Sequence, residues 1–215
     1  MPPHLLYIAD PMCSWCWGFS PVIDQVRNRF GEKLPMRLLM GGLRPGTDEP
    51  MSFGVKADIR EHWQHVRKAS GQPFDFAFFE RDGFVYDTEP PSRAVVVMRR
   101  LDPDRVFDYF KNVQEAFYAK NLDVTDPAVL SGMAADIGLD REAFTADFKA
   151  GQTVTETWRD FEISRRLGIT GFPTLLAGSN EGGYEIITAG YRPWEKVKEE
   201  IEDFGLRIGK ELFDV

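Results

Sequence analysis

Apolar and polar positions follow two different rhythms along this chain, and the changes of rhythm divide it into three parts. The apolar run Leu5–Ala9 reads as the body of a buried strand over His4–Ala9. Asp10-Pro11 breaks it, since a residue before proline is pushed out of helical geometry. Phe19, Val22, Ile23, Val26 and Phe30 then recur at helical spacing, with Gly31 as a fitting stop. Pro21 inside that pattern predicts a kink or a late start to regular hydrogen bonding. Met36–Met40 reads as a second strand ended by Gly41-Gly42, so the opening is a βαβ unit. From about Met51 to Leu167 the periodicity is helical, with little strand signal. It predicts helices over 55–69, 91–100, 104–119, 127–137, 141–149 and 154–167. Phe74, Phe76, Phe78 and Phe79 form an aromatic cluster that suits packing between those helices. Strand pattern returns at 174–177 and 184–188, and turn chemistry over 178–183 predicts an antiparallel hairpin. Pro193 suits the first position of a last helix over 193–204, with Trp194, Val197 and Ile201 on one face.

This order, βαβ then helices then ββα, gives residues 1–50 plus 168–215 as one domain. Residues 51–167 form a helical insertion that includes the return helix. A chain of 215 residues with 43% hydrophobic and 13% aromatic content can bury a sizeable core, which excludes disorder. The net charge of −8 argues against nucleic acid as a general partner, because phosphate binding needs a basic face. The N-terminus carries neither a basic region nor an apolar stretch suited to export. Nothing approaches the roughly 20 apolar residues that span a bilayer. A cytoplasmic protein with no membrane partner is expected.

The chain has two cysteines, and they sit in Cys13-Ser14-Trp15-Cys16, between the first strand and the first helix. A loop this short stabilises a fold little, so the pair suggests chemistry rather than a staple. Thiolates, not thiols, attack disulfides. At a helix N-terminus, free backbone N–H groups and the positive end of the macrodipole favour the anion. Cys13 is expected to face both that end and solvent; a shift of about two pKa units would make its thiolate the main form. Cys16, one turn further in, is placed to attack a mixed disulfide formed at Cys13. Zinc is the competing use of a CxxC, but it needs four ligands. His62 and His65 lie on a helical pattern as surface or partly packed residues, and His4 opens a strand.

Gly171-Phe172-Pro173-Thr174 opens the third strand, where proline lacks the N–H a central strand would use. It reads either as an ordinary edge-strand proline or as a cis Phe172–Pro173 bond. The second would present the Phe172 backbone to an extended peptide.

Taken together, the CxxC after the first strand and GFPT before the hairpin give a chain that resembles the DsbA-like branch of the thioredoxin superfamily. DPMCSWCWGFSP (10–21), YDTEPPSRAVV (86–96) and AFYAKNLDVTD (116–126) are similar to a cytosolic subgroup described as predicted protein-disulfide isomerases. The resemblance implies an α/β, thioredoxin-like fold with a large all-α insertion between its βαβ and ββα halves. It also implies Cys13 as nucleophile, Cys16 as resolving thiol and Pro173 as the cis-proline. Ser14, Trp15 and Phe172 are the candidate substrate-binding residues, and protein or peptide thiols and disulfides the expected partners. Trp17 and Phe19 serve equally well as landing surface or as packing. No bound cofactor is expected beyond the Cys13–Cys16 disulfide itself, with glutathione or another thiol open as co-substrate; the oligomeric state is open.

Two departures from the family pattern matter. The buried acid that relays a proton to the inner thiol often stands six residues before the first cysteine, and here that residue is Tyr7. Either Asp10 or a water must then take that part, or resolution is slow. The family's strongest oxidants carry a histidine between the cysteines, whereas Ser14 and Trp15 stand here, so a less oxidising pair is expected. Two other readings use the same scaffold. Kappa-class glutathione transferases and 2-hydroxychromene-2-carboxylate isomerases typically carry serine at the active-site helix, and the intact cysteine pair speaks against them. A non-catalytic peptide-binding module would leave the thiols incidental.

Overall fold

The computed structural model describes residues 2–179 and 182–209. β1 (His4–Ala9) is buried along its whole length because it runs between two neighbours. It pairs in parallel with β2 (Met36–Met40) and antiparallel with β3 (Thr174–Ser179), which in turn pairs antiparallel with β4 (Gly183–Ala189). The strand order is β2-β1-β3-β4. The parallel step needs a crossover, supplied by α1 (Ser14–Phe30). The hairpin expected over 178–183 exists as the β3–β4 pair, although residues 180–181 lie outside the described residues.

Strand periodicity decides what each face meets. Leu5, Tyr7, Ala9, Leu38, Met40, Leu175, Ala177 and Ile187 join the main hydrophobic cluster, shared with α1 and with α8 (Trp194–Arg207). Leu6, Ile8, Leu39 and Leu176 form a smaller cluster on the opposite face, under Ile163 and Ile169. The outer rim of β2 is also engaged. Met40 donates its N–H to Asp160 (3.1 Å), and Arg99 donates to the Leu38 carbonyl (3.1 Å) while it pairs with Asp160 (2.7 Å).

Six helices lie between β2 and β3: α2 (Phe53–Ser70), α3 (Glu89–Leu101), α4 (Val106–Tyr118), α5 (Pro127–Asp136), α6 (Arg141–Lys149) and α7 (Gly151–Arg166). All six were expected, α6 with the bounds observed and the other five with different ones. The helix expected over 104–119 opens as a 3-10 turn, Pro103–Arg105, whose N–H at Arg105 is taken by the Asp102 side chain. α7 begins three residues before the pattern at 154, since Gly151-Gln152-Thr153 has no apolar rhythm. Arg100 reaches Thr153 Oγ1 (3.0 Å) to hold that turn. α3 starts at Glu89 because Pro90 and Pro91 fall in its first turn, where no N–H is needed. At α8, Pro193 is the capping residue rather than the first helical one.

Pro21 lies within α1 and cannot donate to the carbonyl of Trp17. That carbonyl instead accepts from the Gln72 amide (3.2 Å), just after α2, and the Trp17 indole N–H donates to the Pro73 carbonyl (3.0 Å). The proline thus frees an acceptor that ties the first helix to the insertion. Phe74 to Phe79 pack as expected around the buried Trp63 of α2. Its ring lies 4.8 to 6.1 Å from those of Phe74, Phe76, Phe78, Phe79, Phe117 and Tyr118. Truncating Trp63 to alanine removes the centre of this cluster. The expected loss is about 3–5 kcal/mol of folding stability, read as a lowered urea midpoint.

Candidate active site

The end of β1 and the start of α1 are joined by a turn that its own side chains fix. Cys13 donates its N–H to the Asp10 carbonyl (3.1 Å), and Met12 donates its N–H to Asp10 Oδ1 (2.9 Å). Asp10 Oδ2 accepts the N–H of Leu43 (2.8 Å), from the loop after β2. Tyr86, ahead of α3, donates its hydroxyl to the Met12 carbonyl (2.6 Å). Cys13 therefore occupies the N-cap of α1 with extended backbone (φ −90°, ψ 115°), at the helix end whose first amides have no intrahelical partner, although its side chain makes no capping hydrogen bond. No acidic residue stands in the first turn to compete with an anion there.

Cys13 was expected to face solvent, yet only 6% of the residue is exposed. The loop before β3 covers it: the Cys13 S–H donates to the Phe172 carbonyl, with Sγ 3.5 Å from the oxygen. The Phe172–Pro173 peptide is cis. Residues 159 positions apart in sequence thus meet at one sulfur. The Phe172 ring packs on Gly41, where an added Cβ would fall 2.2 Å from it, so a larger residue there would have to displace the ring. Pro173 is buried, and its carbonyl accepts from Gly190 (2.7 Å).

Cys16 is fully buried one turn below, and both cysteines are free thiols. Burial first, then the neighbouring Cys13, pushes the Cys16 thiol well above its ordinary value. Tyr7 lies beneath, also fully buried. Burial and then the two cysteines raise its phenol, so it stays protonated. Ser14 and Trp15 are half-buried at the rim, where Trp15 packs against Tyr191 at 5.7 Å. Trp17 and Phe19 are core residues: Trp17 stacks on Tyr118 and Phe19 is fully buried. His62 and His65 are exposed on α2. Leu43, in the loop after β2, and Trp158, which lies beside Gly46 of that loop, are each 41% exposed.

Sequence reasoning singled out the two thiols and Phe172-Pro173, but it missed Tyr86, Leu43, Tyr191 and Gly41. Each acts through a contact between distant segments; Tyr86 and Gly41 did fall in recognised stretches, 86–96 and the stop of the second strand, but neither pattern marks them as part of the site. A thiol at a helix N-terminus facing a buried second thiol and a backbone carbonyl can capture one half of a disulfide and hand it on.

A helix crossing between the parallel strands β1 and β2, an antiparallel hairpin on the other side of β1 and a dithiol at that helix's start define a thioredoxin-type protein. Within that class the match is to the DSBA-like thioredoxin domain, over residues 7–202, and the chain belongs to that family. A crystal structure from Nitrosomonas europaea, provisionally named a protein disulfide isomerase, is 38% identical. It covers 97% of this chain and 99% of its own, with a TM-score of 0.90. The cytosolic disulfide reductase DsbM of Pseudomonas aeruginosa is 27% identical over 95% of this chain and 99% of its own, with a TM-score of 0.77. The ClpXP adapter protein SpxH of Bacillus subtilis is 23% identical over 81% of this chain, and the match spans 58% of that relative's length.

Burial pushes the Asp10 carboxyl from 3.8 up to about 6, against the backbone N–H bonds of Leu43 and Met12 that favour the anion. The native state therefore binds this proton more tightly than the unfolded chain. The stabilising effect is complete below the unfolded value and is lost as pH rises through about 6, on the order of 3 kcal/mol. In Asp10→Asn this loss is expected to vanish. Urea unfolding of the two proteins between about pH 4 and 7 should show the variant's curve flatter by that amount.

Proposed function

We propose that this protein reduces or isomerises disulfides in protein or peptide substrates through Cys13 and Cys16. The observation that carries the reading is the position of Cys13: it caps α1, touches the Phe172 carbonyl beside a cis-proline, and has a buried second thiol one turn below. The Cys13 thiolate attacks a substrate disulfide, forming a mixed disulfide and releasing one substrate thiol. Cys16 then attacks Cys13 Sγ, which gives the Cys13–Cys16 disulfide and releases the second thiol. Two external thiols return the pair to its reduced form. The family and the 27% identity to a cytosolic disulfide reductase support this direction and a cytoplasmic setting. There, a poise of roughly −220 to −320 mV keeps such a pair mostly reduced. A DsbM structure with GSH, 26% identical to this chain, supports glutathione as the thiol that recycles it.

Substrate meets the site across Ser14, Trp15 and Phe172. The Phe172 backbone offers main-chain pairing to an extended chain, and the half-buried Trp15 offers apolar contact. Pro173 fixes that backbone by presenting it without a competing N–H. Cys13→Ser is expected to abolish insulin reduction, while Cys16→Ser accumulates covalent adducts at Cys13 that mass spectrometry detects. A Cys16→Ser protein that forms no mixed disulfide with any peptide disulfide would remove the assigned roles. With no cation between the cysteines, the potential in glutathione mixtures is expected well below the about −120 mV of the strongest oxidants.

The similarity to SpxH favours a second reading, in which the same face binds a protein partner for delivery rather than for chemistry. That reading predicts partner binding unchanged in Cys13→Ala, whereas the exchange mechanism predicts loss of turnover.

A further inference from the structure

Resting on the exchange reading above for the step that follows docking, we propose that the outer face of α2 is a docking surface for acidic polypeptide segments of the substrate. Arg60, Gln64, Arg67 and Lys68 recur at helical spacing and, with Phe76, line a surface cavity of about 530 Å³. All four α2 residues are exposed. The Arg60 guanidinium lies 5.9 Å from the centre of the Phe76 ring and 5.7 Å from that of Phe79. It is thus held over aromatic faces. Among the described residues, no carboxylate pairs with Arg60, Arg67 or Lys68. The chain has 34 acidic residues against 26 basic ones, and other helical cations are paired, as Arg99 is with Asp160 and Arg166 with Glu162. Of the two acids on α2, Glu61 faces His65 (4.0 Å) and Asp58 stands round the helix from Arg60. Cations in a last turn also suit the helix dipole, which accounts for Arg67 and Lys68. That effect falls off within one turn, and Arg60 lies well before it.

This surface adjoins the dithiol. A Cβ on Gly18 of α1 would fall 2.7 Å from Val66 and 3.3 Å from Ser70, so the two helices touch where α2 ends. Tyr191 packs on Trp15 at 5.7 Å and donates its hydroxyl to the Ala69 carbonyl (3.2 Å). A substrate captured at Cys13 and running across Trp15 and Tyr191 therefore reaches the last turn of α2, which carries Lys68.

Arg60 and Lys68 stand about 12 Å apart along the helix, the reach of about four residues of extended chain. Carboxylates within such a stretch can meet all three cations, and arginine takes a carboxylate by two parallel N–H bonds. Phosphate polymers share the charge, but their binding grows with many contacts along a basic path. Here the path ends after three cations, in a chain of net charge −8. That net charge sharpens the expectation, because the protein as a whole repels an acidic peptide and attracts a basic one. A local cationic surface reverses the order.

The test uses peptides with one internal disulfide that differ only in a short tail of glutamates, glutamines or lysines, placed at either end in turn. The protein reduces them at about 20 mM and about 500 mM salt. At low salt the glutamate tail should raise kcat/KM about tenfold over glutamine, through KM, and the lysine tail should not. At high salt the three should agree within about twofold. Arg60→Glu combined with Arg67→Glu and Lys68→Glu should abolish the advantage at an unchanged urea midpoint. Lys149→Glu combined with Arg159→Glu and Arg165→Glu, exposed cations of α6 and α7, should keep it. If the first triple variant does not fold, Arg60→Gln with Lys68→Gln should cut the advantage about threefold. Equal rates for glutamate and glutamine tails at low salt, a preference for lysine, or an advantage that survives the reversal would overturn the proposal. So would a single-stranded oligonucleotide that competes as well as a glutamate peptide. Failure to reduce any of the peptides would instead sink the exchange reading. Fluorescence anisotropy of a cysteine-free glutamate peptide, whose binding the reversal must abolish, then still reads the docking surface.

Discussion

Backbone amides from Met12 and Leu43 converge on one buried carboxylate, that of Asp10, and the geometry around the dithiol follows from that convergence. The first contact closes the turn that delivers Cys13 to the cap of α1. The second pins the loop after β2, whose Gly41 seats the Phe172 ring and so the backbone that covers Cys13. A neutral side chain could satisfy one of these amides but not both with acceptors. The cost is a charge out of water, visible as the raised titration of Asp10. The molecule therefore keeps an energetically unfavourable group where two loops and two thiols meet.

The insertion is fastened to the thioredoxin-like part by polar contacts as much as by apolar packing. Pro21 leaves the Trp17 carbonyl without its helical donor, and Gln72 supplies one from the insertion. Gln72 also donates to Ser20 (2.8 Å), so one side chain reads two positions of α1. Arg99 and Asp160 do the same at the other end, between α3, α7 and β2. The main hydrophobic cluster runs without a break from Leu5 and Val26 to Trp63, Phe117 and Phe144. Movement of the helices against the sheet would therefore disturb both kinds of contact at once.

Much of this was legible in the sequence because it depends on local rhythm. The strand of His4–Ala9, the helix behind Cys13 and the aromatic run at Phe74–Phe79 each carry their own periodicity, and the structure contains each. Element ends were less legible, since caps such as Asp102 and first turns such as Gly151-Gln152-Thr153 are set by contacts rather than by apolar spacing. The covering of Cys13 was not legible at all. It comes from a carbonyl 159 residues away, and a backbone oxygen has no residue type to announce it. Trp17 and Phe19 were ambiguous for the opposite reason: an aromatic beside a nucleophile has the same pattern whether it packs or binds, and here both pack.

The occupied rim of β2 has a consequence for how the molecule meets others like it. With the Met40 amide and the Leu38 carbonyl already engaged by Asp160 and Arg99, that border offers no template at those positions for a foreign strand. At the opposite border, β4, the Ile187 carbonyl accepts from the Arg192 side chain (3.4 Å), while Ile186 is 62% exposed. Side chains of the insertion thus guard the β2 flank at Leu38 and Met40 against pairing with another chain.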